Sequence, residues 1–429
     1  MENFTLKENA RIGEKYYYLK HKSGLDIYVV PKKHLSSYAI IGTRYGASDR
    51  SFKTEKDEDF LTVPDGVAHF LEHKLFESED GEDTFAGFAR VGGNANAFTG
   101  SNQTCYLFST TENFYENLEI LLDFVQSPHF TEENVAKEQG IIGEEIKMYE
   151  DDPNWRVHFN MLEGLYLNNP AKVNVCGTVE TISKITPEIL YRCYNTFYNL
   201  NNMVLCVCGD VDAETVVSVA DRVLKPAEKV SIIRHSEEEP EGINQAFVSE
   251  EGEVAMPIYN IGFKEKVLSD PSELLKYKAE MEILMRMMFS KSSEFYNDSY
   301  ESGLITPWFS AWSNAGRDAS YSVISGSAPN PEEIFEAVKA EIRKRRESFF
   351  DLDSFERAKR CIYAETLTDF NSTSSVANAM VGFALDGNDF FDFADAVSAV
   401  SVDDLKKRLD ESFEPERAVL SVVVPFSAE

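Results

Sequence analysis

Two of the chain's seven histidines lie four residues apart in the stretch DGVAHFLEHKLFE, Asp65 to Glu77, with a glutamate directly before the second. On a helix, positions i and i+4 share a face, so His69 and His73 can offer ring nitrogens to one ion, as zinc requires. Glu72, three residues after His69, flanks that face. It is placed to take a proton from water at the metal rather than to bind the metal. Val67, Leu71 and Leu75 recur every four residues on the opposite side and would bury the helix against a core. The order HxxEH reverses the familiar HExxH of metalloproteases while giving similar geometry. Two histidines at this spacing are also compatible with an ordinary helix face; the placed glutamate is what points to chemistry.

A catalytic zinc needs a third protein ligand and an open position for water. His129 follows Pro128 in a loop, and His21, His34, His158 and His235 are isolated, so a carboxylate is the better candidate. The stretch TEENVAKEQGIIGEEIKMYEDDP reads as a long helix on which Glu138 and Glu145 are two turns apart along one stripe. Glu145 could bind the metal while Glu138 hydrogen-bonds into the site. A solvated acidic face is the alternative, and it is the preferred reading for Glu144, Glu150, Asp151 and Asp152.

The elements that must position these groups recur at half the chain length. ITPEILYRCYNTFYNLNNMVLCVC, from Ile185, lies on VSVDDLKKRLDESFEPERAVLSVV, from Val400, without a gap. Each copy reads as an amphipathic helix, a short turn and a buried strand. Upstream, FTEENVAKEQGIIGEEI, from Phe130, matches FDLDSFERAKRCIYAET, from Phe350, at a similar offset. The repeat implies two similar domains, expected at 1–231 and 246–429. The acidic stretch IIRHSEEEPEGINQ, 232–245, is expected to link them. Strands are expected in GLDIYVVP, SYAIIGTRYG, NANAFTG and TCYLFST of the first half and in FSAWSN and ASYSVISGSA of the second. Strands occur in adjacent pairs rather than alternating with helices. That predicts an α+β fold, each domain a mixed or antiparallel sheet covered by helices.

The 429 residues are 43% hydrophobic and 12% aromatic, as in a globular protein. No apolar run approaches the roughly 20 residues that span a bilayer. The start shows neither a signal peptide's apolar region nor a transit peptide's composition, so a cytoplasmic location is expected. A formal charge of -31 argues against nucleic-acid or anionic-membrane partners; it suits basic or neutral peptides, and it equally serves simply to keep a protein soluble and monodisperse. The cysteines show no zinc-ribbon spacing and read as buried thiols in a reducing compartment.

Taken in order, HFLEH, GGNANAFTG, EQGIIGEEIKMYEDDP and the CGTVETISKITPEILYRCYNTFYNLNNMVLCVCGDVD stretch resemble the pitrilysin family of zinc peptidases, the inverzincins, over about Gly24 to Asp212. Within the family it resembles bacterial members of about this length that are similar to the mitochondrial processing peptidase. The resemblance implies one Zn²⁺ per chain, held by His69, His73 and Glu145, with Glu72 as general base and Glu138 as a supporting acid. It also implies that Asn96, Ala97, Phe98 and Thr99 form a sheet edge that pairs with an extended peptide.

Laying the first half on the second sets Glu282, Met285 and Arg286 where His69, Glu72 and His73 stand, so no second zinc is expected. The family's second half usually carries an Arg four residues before a Gly-Leu pair and a Tyr three residues after the glycine. SYESGLITPWF puts Ser299 and Thr306 there. The resemblance therefore implies a zinc endopeptidase that works as the metal-bearing subunit of a homo- or heterodimer, a related chain supplying the Arg and Tyr. The alternative is a catalytically weak peptide-binding or assembly subunit.

Overall fold

The computed structural model describes residues 4–79 and 84–426. Two compact units result, and each is α+β with a mixed sheet. The first unit comprises the chain through Ile146, Asn174–Ser236 and Leu367–Asp392; the second comprises Lys147–Val173, Glu237–Thr366 and the chain from Phe393 on.

In the first unit, seven strands run in the order Thr5–Asn9, Glu14–Lys20, Asp26–Pro31, Met203–Gly209, Ser37–Thr43, Thr104–Thr110 and Asn94–Thr99. Only the Asp26–Pro31 and Met203–Gly209 pair is parallel. The second unit's five strands run Phe247–Gly252, Ala418–Pro425, Ile258–Lys264, Ser320–Ser327 and Ser310–Ala315, with the first pair parallel. The last five strands of the first sheet and the five of the second thus share one order and one pattern of directions. The duplicated segments sit at matching places. Thr186 and Ser401 cap the helices Pro187–Phe197 and Val402–Glu411, and each helix is followed by a 3-10 turn and a central strand.

The units do not follow the boundary expected at 232–245. The helix Pro153–Leu165, from the first half, packs on the second half's strands Ile258–Lys264 and Ala418–Pro425. Conversely, Thr373–Leu385 packs on Ser37–Thr43 and Met203–Gly209. Two glycines at matching strand positions make room for these helices. A Cβ on Gly42 would come within 2.9 Å of Val381, and one on Gly262 within 2.7 Å of Met161. Local periodicity states that a helix has an apolar face but not which sheet the face meets, so the exchange was invisible to a linear reading.

The expected linker is also tied down rather than extended. Ile232–Arg234 pairs antiparallel with Ser51–Thr54. In the second unit, the Glu239 carboxylate accepts the backbone N–H groups of Leu167, Asn168 and Asn169 and pairs with the buried Lys264 ammonium. Lys264 also donates to the carbonyls of Pro240 and Gly242, at 2.7 Å each. These bonds satisfy a charge that would otherwise be costly to bury. Among the described residues, no helix is long and apolar enough to cross a membrane.

A second buried charge in this unit makes stability depend on pH. Glu265 is buried, accepting from Ser322 Oγ at 3.1 Å and from the Phe413 N–H at 3.3 Å. Burial, only partly offset by those bonds, pushes its carboxyl up from 4.5 to about 7. An acid whose pKa is raised on folding favours the folded state while protonated, and that contribution is lost as pH rises from the unfolded pKa through the folded one. Stability is therefore expected to fall by about 3 kcal/mol through this group between pH 4.5 and 7. Glu265→Gln should remove that slope, as urea denaturation at several pH values would reveal.

Candidate metal centre

The HxxEH stretch forms the helix Val67–Leu75 as its spacing predicts. Gly66 starts it at φ 92°, a left-handed conformation open to glycine, where a Cβ would meet the Cys176 carbonyl oxygen at 2.5 Å. Val67, Phe70, Leu71 and Leu75 are buried in the first unit, and this apolar side fixes the rotation of the helix. The other side meets the long helix Glu132–Asp151, whose Ile142 and Ile146 are fully buried. Packing on both helices therefore turns Glu138 and Glu145 toward the two histidines.

His69 Nε2 lies 3.6 Å from Glu145 Oε1, and His73 Nε2 lies 3.4 Å from Glu145 Oε2. Donors arranged tetrahedrally about 2.0–2.1 Å from a zinc ion are roughly 3.3 Å from one another. The two imidazole nitrogens and the Glu145 carboxylate thus have the chemistry and spacing to close on one zinc. His73 Nδ1 is 3.1 Å from Glu138 Oε1, a contact that orients the ring and aims Nε2 at Glu145. Glu138 is itself 3.7 Å from the buried Lys74 ammonium.

The charge states suit a cation. Burial first, and the His73 charge second, lower the His69 pKa to about 3, so its ring is neutral and able to bind metal at ordinary pH. For His73 burial acts downward, but the Glu138 hydrogen bond and the charges of Glu145, Glu138 and Glu72 outweigh it and raise the pKa. These carboxylates thus favour a positive charge at this ring, which a bound metal would also supply.

Glu72 projects from the same helix and accepts a 2.5 Å hydrogen bond from Thr99 Oγ1. Burial raises its pKa, opposed by the Thr99 bond and the His73 charge, which moves it toward the range of a usable general base. Thr99 ends the strand Asn94–Thr99, the outermost of the first sheet, bonded on one side to Thr104–Thr110. Asn96 and Phe98 are exposed along it while Ala97 and Thr99 are partly covered. Among the described residues, its other edge pairs with no strand. The turn of the Thr99 side chain toward Glu72 was not legible, because alternation assigns a face but not a partner.

Cys176 was also missed. Its Sγ is 3.9 Å from His69 Nε2, and Cys176, His69 and Glu145 together form a group close enough to hold an ion. Its flanking residues carry no ligand spacing, and only the close approach at Gly66 brings it here.

In the second unit the equivalent helix is Pro271–Phe289. Arg286, at the place of His73, forms an ion pair with Glu365, at the place of Glu145. A guanidinium thus bridges the two helices where the first unit sets donors for a metal. Ser299 is buried, and Thr306 Oγ1 donates to the Ser327 carbonyl at 3.0 Å. Both side chains serve their own unit.

Comparison with known proteins agrees with this architecture. The family model described as insulinase (peptidase family M16) matches residues 63–179, and that described as the peptidase M16 inactive domain matches residues 184–361. The chain is 37% identical over 425 residues to a Bacillus subtilis protein named "Uncharacterized zinc protease YmfH", covering 98% of this chain and 99% of the relative. It superimposes on an M16-like peptidase from Alicyclobacillus acidocaldarius with a TM-score of 0.91 and 31% identity, over 98% of each chain. A Helicobacter pylori protease shares the fold, with a TM-score of 0.83 at 20% identity over 96% of this chain and 100% of that one. The chain belongs to peptidase family M16, the pitrilysin family.

Proposed function

We propose that the chain is a zinc-dependent endopeptidase of extended peptides and the metal-bearing subunit of a two-chain enzyme. The observation that carries this reading is Glu72, held by Thr99 beside two histidines and Glu145. A subunit that merely bound metal or peptide would have no use for that carboxylate.

His69, His73 and Glu145 would hold the zinc, and Glu138 would fix the His73 ring. The bound ion would supply Lewis acidity, polarising the scissile carbonyl and lowering the pKa of water. Glu72 takes the proton of the attacking water and delivers it to the leaving amine. The edge of Asn96–Thr99 offers backbone groups to an extended substrate, so binding depends little on substrate sequence. A related chain would supply the Arg and Tyr that Ser299 and Thr306 replace. The alternative, a catalytically weak peptide-binding or assembly subunit, is favoured only by the burial of Ser299 and the hydrogen bond of Thr306 within the second unit. The cytoplasm is the proposed compartment, supported by six free thiols.

Activity of the chain combined with a related chain that carries the Arg and Tyr, on an unstructured peptide, is expected to disappear on treatment with a chelator and to return with stoichiometric zinc. Full activity in protein freed of metal, verified by elemental analysis, would sink the proposal.

A further inference from the structure

The second unit holds a solvent-open cleft of about 570 Å³, lined in part by Pro271–Phe289 and Leu352–Asp369, the counterparts of the helices that carry the metal donors in the first unit; Arg286, at the place of His73, is in the lining. Three guanidinium groups line it: Arg286, Arg345 and Arg357. Their concentration is notable in a chain with 73 acidic against 42 basic residues.

The two carboxylates in the lining are already engaged. Glu294 pairs with Lys344 and Arg345, and Asp351 accepts the Ser354 N–H at 2.6 Å. Arg345 also bonds Glu341 at 2.6 Å and stacks on Phe350, its guanidinium carbon 4.3 Å from the ring centroid. Arg357 is exposed and donates to Ser354 Oγ at 3.1 Å. Arg286 pairs through Nη2 with Glu365 and, at 3.7 Å, with Glu282, while its Nε is buried and has no hydrogen-bond partner among the described residues. Arg357 therefore presents an accessible fork of donors, with the Arg286 guanidinium beside it in the lining.

Backbone charge adds to this. The helices Glu294–Glu301 and Leu352–Asp369 both begin at the cleft, so two positive dipole ends supplement the guanidiniums. Phe349 supplies an apolar wall.

We propose that this cleft binds a small organic anion, its phosphate or carboxylate head between Arg357 and Arg286 and an apolar body against Phe349. The duplicated helices would then serve ligands of opposite charge, a cation in the first unit and an anion in the second. The inference is independent of the peptidase reading, since no residue of the first unit enters it.

Calorimetric titration of the full chain with phenyl phosphate, phenylacetate and inorganic phosphate tests it. One site per chain is expected for phenyl phosphate or phenylacetate, the tighter of the two identifying the head group, with inorganic phosphate weaker for want of the ring. Loss of a charge-assisted bond predicts at least about tenfold weaker binding in Arg357→Glu. Arg357 is exposed, so this variant should fold normally by circular dichroism; Arg357→Lys should retain part of the affinity. No heat with either aromatic anion, or binding unchanged in Arg357→Glu, would overturn the proposal.

Discussion

Glu72→Gln is expected to retain zinc at the wild-type level and, assayed together with a related chain that carries the Arg and Tyr, to cut peptide hydrolysis by about a hundred- to ten-thousand-fold, the range attributable to general acid–base catalysis. Glutamine keeps the shape of glutamate and can still accept the Thr99 hydrogen bond, which is 2.5 Å in the wild type. It cannot take a proton. Metal content should therefore be insensitive to the change while turnover is not. The separation matters because Glu72 shares its helix with both histidines, and a variant that lost activity by losing metal would reveal nothing about the base. Elemental analysis alongside steady-state rates distinguishes the two. Loss of zinc, or retention of wild-type turnover, would remove Glu72 from the role assigned to it.

Glu138→Gln should act on the metal rather than on the proton transfer. The Glu138 carboxylate lies 3.1 Å from His73 Nδ1 and fixes which ring nitrogen points toward Glu145. Replacing such an orienting carboxylate typically weakens metal binding about 10- to 100-fold. Two effects compete here. A neutral amide supports the imidazole–metal bond less well, but it also weakens the hold of a competing proton on His73, whose pKa Glu138 helps to raise. The first should prevail at neutral pH and above, where proton competition weakens, and the deficit should narrow as pH falls. Competition with a chromophoric chelator measures this directly. Glu144→Gln, on the exposed face of the same helix, should leave the affinity unchanged.

These two carboxylates show what a linear reading resolves. The i, i+4 histidines and the seven-residue interval of Glu138 and Glu145 follow from helical geometry, and the structure brings all four side chains to one place. The alternating strands were legible for the same reason, since a two-residue period marks the faces of a sheet. Contacts between distant segments were not. Cys176 reaches His69 through a backbone approach at Gly66, and the Thr99 hydroxyl reaches Glu72 across 27 positions. The Arg286–Glu365 pair lies between them: the repeat aligned both residues, but only coordinates reveal that a guanidinium joins the helices. The exchange of Pro153–Leu165 and Thr373–Leu385 between sheets is the clearest case. Repeats mark units of sequence, whereas units of packing depend on complementarity such as that at Gly42 and Gly262.

On this reading the chain supplies the metal half of a complete active site. The most direct test is the rate at which the zinc-loaded chain cleaves an unstructured fluorogenic peptide, first alone and then mixed with a related chain that carries the Arg and Tyr but lacks HxxEH. Little turnover is expected from the chain alone, and a large rise that saturates at one partner per chain and is absent with Glu72→Gln. Zinc-loaded chain that stays inactive in the mixture, or cleavage that survives Glu72→Gln there, would contradict it.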